Sequence, residues 1–235
     1  MSTDERVERA RLLYERALFG GETAALAEAD RELDAVEAGL APARGRAAPD
    51  RELDAAEADL ALARGRLVHA RAMESGQEDP GELVLFERAA GLYRALGDMR
   101  GEAEAVGWAG IFHQVIRRDD HTAVPLLERS LALATRAGDA LTMSYALRHL
   151  GFAEHMAGRL DPARAHLEES VRLRREAGFL PGVAANLVGL AYIASAQGRR
   201  ADALSMIEEA AAIAGSEKAL GIMRWVEEAR TQLQG

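Results

Sequence analysis

Long segments rich in apolar residues follow one another along this chain, separated by short breaks that contain glycine or charged residues. The longest nearly apolar stretch, residues 183–196, is interrupted by Asn186 and is shorter than the roughly 20 residues of a membrane span. It is therefore predicted to be a buried helix. Because Ala, Leu, Glu and Arg dominate while aromatic residues make up only 5% of the chain, the sequence predicts an all-α fold without a β-sheet.

The breaks recur at a nearly constant spacing. Four junctions place Gly after an apolar segment, where it can adopt the left-handed conformation that ends many helices, and two of them continue with Asp, a residue that caps the next helix. Successive glycines are separated by 41, 40 and 37 residues. Helix boundaries are therefore predicted at Gly97, Gly138, Gly178 and Gly215.

A second, weaker set of breaks lies between these junctions. Asp161 followed by Pro162 marks one helix start after such a break, because the carboxylate can cap the helix and proline fits its first turn. These weaker breaks divide each unit of about 40 residues into two helices, so that each unit is predicted to be a helical hairpin. The breaks lie at Arg118-Asp119, Gly158-Arg159 and Gly198-Arg199.

The spacing of apolar and small residues within these hairpins resembles the tetratricopeptide repeat, whose pattern is W-x2-L-G-x2-Y, then A-x3-F, then a late Pro. The Trp, Tyr and Pro positions are not kept, and the repeat of about 40 residues resembles the longer variants of kinesin light chains and of actinobacterial transcriptional regulators. The residues that carry the resemblance are Leu147, Leu150, Gly151, Ala163 and Leu167; Leu187, Leu190, Ala191, Ala203 and Ile207; and Ile111, Ala123 and Leu127 in a third copy.

The resemblance covers roughly residues 55–233 and implies an alpha-alpha superhelix, a stack of hairpins that is expected to be right-handed. Small residues such as Gly151 and Ala163 are expected to let the two helices of a hairpin approach closely. A last helix, at about residues 217–233, is expected to cap the stack and to pack Trp225 inward.

The N-terminal part of the chain fits two more helices, at about residues 4–19 and 22–40. Residues 30–46 are nearly reproduced 20 positions later, at 50–66, which indicates a tandem duplication. In one continuous helix this offset would put the two copies on opposite faces, so a break is predicted between them. The chain is accordingly divided into residues 1–49, with the N-terminal helices and the first copy, and residues 50–235, with the repeats and the capping helix.

Charge and composition disfavour several classes of function. The net charge is −9, with 38 acidic and 29 basic residues interspersed, which argues against a nucleic-acid partner. Without cysteine the chain has no thiolate metal ligand and no need of an oxidising compartment. The charged start lacks the apolar core of a secretion signal, so a cytoplasmic protein with no membrane partner is expected, and the resemblance to actinobacterial regulators implies a bacterial one.

Motifs of catalytic and metal sites are absent from the sequence. It contains no phosphate-binding loop, no Gly-x-Ser-x-Gly elbow, no His-Glu-x-x-His pair and no EF-hand pattern. The six histidines include no two residues three or four positions apart, the spacing that presents two ligands on one helix face. We therefore expect a protein that is not an enzyme and has no catalytic residue, cofactor or metal site.

The resemblance implies a partner-binding surface instead, because certain positions in the first helix of each hairpin face the concave side of such repeats. In this chain aromatic residues and one Arg occupy many of these positions, a composition typical of binding hot spots. The candidate partner-binding residues are Trp108, Phe112, Tyr145, Arg148, Phe152, His155 and Tyr192.

Alternatives remain open for these residues and for the function. Trp108, Phe112 and Phe152 can instead cement neighbouring hairpins together. The leading hypothesis is a non-catalytic module that binds a protein or peptide in its concave groove, with a second copy of the chain as one such partner. A receptor for a small molecule or signalling peptide is the first alternative, and an enzyme that uses Tyr145, His155 or His149 as general acid or base is the second.

Overall fold

The computed structural model describes residues 1–44 and 50–234, and in these ranges it contains eleven α-helices and no strand. The all-α prediction is confirmed. The helices are α1 (Thr3–Leu18), α2 (Ala24–Leu40), α3 (Arg51–Ser75), α4 (Gly81–Leu96), α5 (Met99–Val115), α6 (Asp120–Ala137), α7 (Ala140–Met156), α8 (Leu160–Glu176), α9 (Leu180–Ala196), α10 (Arg200–Ser216) and α11 (Leu220–Gln234).

Three of the four predicted glycine boundaries are confirmed, and one is wrong. Gly97, Gly138 and Gly178 all follow a helix with left-handed backbone, at φ of 76°, 67° and 69°. Gly215 instead lies inside α10, and the left-handed residue of that turn is Lys218, with φ of 54°. The turn closes with a hydrogen bond from the Ala219 amide to the Ala214 carbonyl, a geometry that an L-residue can adopt at some cost.

The weaker set of breaks has the same geometry. Gly158 and Gly198 have φ of 75°, and Arg118 has φ of 55°. The helices between successive left-handed residues are 17 or 18 residues long from α5 to α10. The predicted hairpins of about 40 residues are therefore confirmed, and each consists of two helices of nearly equal length.

The chain forms two compact units. Unit 1 comprises Met1–Leu18 and Glu22–Ala137, and unit 2 comprises Phe19–Gly21 and the chain from Gly138 onward. The division predicted between residues 49 and 50 stays a prediction, as does the right-handed superhelix, and residues 45–49 lie outside the described ranges.

Unit 1 pairs its helices in order, α1 with α2, α3 with α4 and α5 with α6. The two N-terminal helices begin and end within two residues of their predicted bounds. The two copies of the duplication fall in different helices, since the first lies largely in α2 while the second begins α3, whose first turn is capped by the Asp50 carboxylate. Arg64 of the second copy donates hydrogen bonds to Asp34 and Glu37 of the first.

Unit 2 contains the hairpins α7–α8 and α9–α10, followed by α11. Small residues set the distance between paired helices, as predicted. A Cβ atom added to Gly151 would lie 3.2 Å from the Ala163 carbonyl oxygen and 3.1 Å from Cγ of Leu167. Ala163, Ala191 and Leu167 are themselves fully buried, so this contact leaves no room for a larger side chain.

Replacing Lys218 by Gly is expected to stabilise the protein by about 0.5–1 kcal/mol, because relief of the left-handed strain exceeds the extra freedom that Gly gains in the unfolded chain. The measurement is the free energy of unfolding in urea. Lys218→Ala is the matched control, since Ala keeps the Cβ atom and should bring no gain. Equal stability of the Gly and Ala variants would contradict a strained turn at this position.

Candidate functional site

Two of the predicted partner-binding residues lie inside unit 1. Trp108 is 7% exposed, and its ring stacks on Phe86 at 5.8 Å between centroids and meets the Tyr14 ring edge-on at 5.9 Å. Phe112 is fully buried. These positions favour the packing alternative for both rings, while their role in partner binding stays a prediction.

Three other predicted residues meet in unit 2, where Arg148, Phe152 and Tyr192 line one pocket. Its volume is about 270 Å³, and α7, α9 and α11 contribute its walls. We call it the α7–α9–α11 groove. Its lining residues are Arg148 and Phe152 from α7, Ala185, Val188, Gly189 and Tyr192 from α9, and Trp225 and Glu228 from α11.

Helical spacing explains why these side chains share one surface. Residues three or four positions apart lie on the same face of a helix, and each of the three helices contributes at least one such pair. Gly189 also lets the Phe152 ring approach α9, because an added Cβ atom there would lie 3.2 Å from Cε1 of Phe152. Trp225, which was expected to pack inward, is half-buried and lines the groove beside Glu228.

Tyr145 and His155 complete the predicted set but do not line this groove. The Tyr145 ring lies beneath the Arg174 guanidinium, 4.8 Å from its Cζ atom, and 6.1 Å from the ring of Phe179. His155 is half-buried in the last turn of α7, where its carbonyl accepts a hydrogen bond from the Gly158 amide. The structure thus places Tyr145 beside a buried arginine and His155 at a helix end.

A polar network lies behind the groove, centred on the buried Asn186 side chain. Arg148 Nη1 donates to Asn186 Oδ1 at 2.5 Å, and Arg174 Nη1 donates to the same oxygen at 3.1 Å. Asn186 Nδ2 donates to Ser170 Oγ at 2.7 Å, and Arg174 Nη1 also donates to the Gly182 carbonyl oxygen at 2.8 Å. One neutral amide therefore holds two guanidinium groups in place.

No carboxylate in the described part of the chain forms a salt bridge with either arginine. Arg174 is fully buried and its Nη2 atom has no hydrogen-bond partner among the described residues. Burial, followed by the nearby charge of Arg174, lowers the pKa of Arg148 to about 9, and burial lowers the pKa of Arg174 to about 10. Both groups remain cationic at neutral pH, so the network carries positive charge that nothing in it neutralises.

The sequence contained a signal for part of this network. Asn186 was the residue that interrupted the longest apolar stretch, and a polar side chain in a buried helix requires a hydrogen-bond partner. Arg174 gave no such signal, because it belongs to a run of arginines and glutamates that is typical of a solvated helix face. Its burial depends on packing against Tyr145 and Phe179, which only the tertiary structure reveals.

Unit 1 contains one buried imidazole bonded to a carboxylate, a pair relevant to the enzyme alternative. His69 Nδ1 lies 2.6 Å from Glu82 Oε1, and both side chains are buried. The imidazole also meets the Trp108 ring edge-on at 5.5 Å between centroids. The pair is thus packed in the interior of unit 1, against an aromatic ring.

Within residues 1–44 and 50–234 no three His, Asp or Glu side chains are grouped so that they could hold a metal ion. Over the same part of the chain, no helix combines the length and the apolar character needed to cross a membrane.

Comparisons with known proteins identify related sequences and folds. Residues 112–176 and 142–216 match the family model for the tetratricopeptide repeat. The regulatory protein AfsR of Streptomyces griseus is 33% identical over 124 residues, which cover 53% of this chain and 13% of that protein. The chain therefore matches a small part of that curated relative.

Two solved structures have similar folds. BtubC from P. vanneervenii has a TM-score of 0.57 and 13% sequence identity, with 92% of each chain covered. A putative kinesin light chain of Podosopora anserina with nearly identical TPR-like repeats has a TM-score of 0.53 and 17% identity, with 93% of this chain and 99% of that chain covered. At these identities the likeness concerns the fold alone.

Asn186→Leu is expected to lower the free energy of unfolding by about 3 kcal/mol or more, because the buried Arg174 and the half-buried Arg148 lose their shared acceptor. Urea denaturation measures the change. Ser195→Ala on the same helix is the control and should cost less than about 0.5 kcal/mol. If Asn186→Leu is as stable as this control, the network does not depend on the amide.

Proposed function

We propose that unit 2 binds a segment of another polypeptide in the α7–α9–α11 groove and catalyses no reaction. The premise of this proposal is that the chain belongs to the tetratricopeptide-repeat family. The observation that carries the proposal is the meeting of Arg148, Phe152, Tyr192 and Trp225 around one open pocket. Half-buried aromatic rings and arginine contribute large contact areas at small cost in conformational entropy, and they dominate the energetics of many interfaces.

The size of the groove supports a polypeptide over a small molecule. Its volume of about 270 Å³ is at the lower limit of the ~300–1,000 Å³ of typical small-molecule sites, which enclose most of their ligand. A groove of this volume suits one or two large side chains whose backbone stays outside. Helices and extended segments both present side chains in this manner to grooves between helices.

The related regulatory protein also supports an interaction role. A segment of about half this chain recurs within a much longer protein whose name describes regulation, as expected for a module that recruits or senses a partner. A bacterial, cytoplasmic setting belongs to the same proposal. A second copy of the chain is one candidate partner, and capture experiments distinguish it from others because it has the mass of the bait.

Tyr192→Ala and Trp225→Ala are each expected to weaken partner binding by at least about 2 kcal/mol, because truncation removes an aromatic anchor of the groove. The measurement is capture from a native extract with the tagged full chain, followed by titration of the captured protein against each variant. Circular dichroism should show that both variants retain the helical fold.

Met156→Ala is the matched control for these variants. Met156 belongs to α7 and is 79% exposed, and it does not line the groove. The Met156→Ala variant should capture the same protein as the parent, with unchanged affinity. A partner that binds both groove variants as tightly as it binds this control would exclude the α7–α9–α11 groove as its site.

A further inference from the structure

The two arginines of the network behind the groove carry positive charge that no described carboxylate pairs with. Arg148 and Arg174 share the Oδ1 atom of Asn186, and no other described side chain offers Arg148 an acceptor. The Arg148 guanidinium lies 4.4 Å from the centroid of the Phe152 ring, which favours a cation there but does not cancel its charge. An anion placed on Arg148 would therefore interact with two guanidinium groups in a partly desolvated site.

Only Arg148 offers this charge to the groove. It is half-buried and lines the pocket, whereas Arg174 is fully buried behind it. Apart from Glu228 on α11 and the Tyr192 hydroxyl, the side chains that line the groove with Arg148 are apolar, so an incoming anion meets one guanidinium and mostly apolar surface. Such a site fits one negative group flanked by apolar side chains.

We propose that the partner places the carboxylate of one Asp or Glu side chain on Arg148, with neighbouring apolar side chains covering Phe152, Tyr192 and Trp225. This inference rests on the proposed function and specifies the chemistry of its partner. The bond is a charge-assisted hydrogen bond from the Arg148 guanidinium to a carboxylate oxygen, a pairing that arginine can make with both of its outer nitrogens.

A side-chain carboxylate suits the site better than the α-carboxylate at the end of a chain. The side chain carries its carboxylate on one or two methylene groups, so it can reach Arg148 while the backbone amides remain in water. An α-carboxylate is attached directly to the backbone, so its own amide would have to enter a groove in which the Phe152 and Val188 side chains offer no hydrogen-bond acceptor.

The opposite wall of the groove limits the partner to one acidic group. Glu228 lies on α11, and burial together with the smaller effect of the Glu228 charge raises the pKa of the Tyr192 hydroxyl, so this charge acts on the groove. A second carboxylate near α11 would be repelled by Glu228, whereas an apolar or basic residue would not. The expected partner segment is therefore amphipathic and carries a single acid at the α7 side.

A random peptide library displayed on phage and selected on the full chain tests this chemistry. The expected consensus contains one Asp or Glu at a fixed position beside large apolar residues. Selection on Arg148→Met should keep the apolar preference and lose the acidic one, while selection on Arg172→Met, which removes an exposed charge on α8, should return the parent consensus.

Titration of the strongest selected peptide gives the quantitative test. Changing its acid to the corresponding amide, Asp to Asn or Glu to Gln, should weaken binding to the parent at least about tenfold. The same change should have little effect on binding to Arg148→Met, since the two substitutions remove one shared interaction. Two results would overturn the inference and leave the proposed function intact. One is an apolar consensus without the acid. The other is an acid whose change to the amide weakens binding to Arg148→Met as much as binding to the parent.

Failure of the proposed function gives a different result. If no peptide is enriched, or if the enriched peptides bind Tyr192→Ala and Trp225→Ala as they bind the parent, the groove does not bind polypeptides and both proposals are overturned.

The stability of Arg148→Met separates a ligand-binding role from a structural one. Because Arg148 has no counter-ion in the free protein, its replacement by an apolar side chain of similar length should leave the melting temperature unchanged or raise it. A clear fall in the melting temperature would mean that Arg148 supports the fold, and would contradict a charge retained for binding.

Discussion

The interval of about 20 residues between successive left-handed turns is the constraint on which the rest of the structure depends. From Arg118 to Lys218 every helix of 17 or 18 residues ends in such a turn, whether glycine or an L-residue occupies it. A helix of fixed length returns the next helix to the same level, so that within unit 2 equivalent residues of the hairpins α7–α8 and α9–α10 occupy equivalent places. Lys218 illustrates the strength of this constraint, since the turn keeps its place although its backbone conformation is unfavourable for lysine.

The same interval of about 20 residues between turns also brings the residues of the groove together. Arg148 and Val188 are equivalent residues of α7 and α9, 40 positions apart, and so are Phe152 and Tyr192. Each pair lines the α7–α9–α11 groove, and Gly189 provides the space in which the Phe152 ring meets α9. Within this regular frame Asn186 holds Arg148 and Arg174, two guanidinium groups with which no described carboxylate forms a salt bridge.

The sequence predicted the repeat well because helix stops and small contact residues are local signals. Gly97, Gly138 and Gly178 marked three turns, but Gly215 misled because Ala214-Gly215-Ser216 resembles the other junctions, although its interval of 37 residues departs from the 40 and 41 between them. The candidate residues Arg148, Phe152 and Tyr192 were found by their repeat positions. Trp108 and Phe112 occupy similar positions but are covered by other parts of unit 1, and the burial of Arg174 depends on rings distant in sequence, so neither outcome could be derived from local pattern.

Site-specific photocrosslinking tests most directly whether the groove is the binding surface. Benzoylphenylalanine would replace Tyr192 in the groove in one variant and Ala201, an exposed residue of α10, in the other. On irradiation with the captured partner, the variant at position 192 is expected to form a covalent adduct whose partner peptide contains an acidic residue, whereas the variant at position 201 forms none. Efficient crosslinking from position 201 together with none from position 192 would contradict the account.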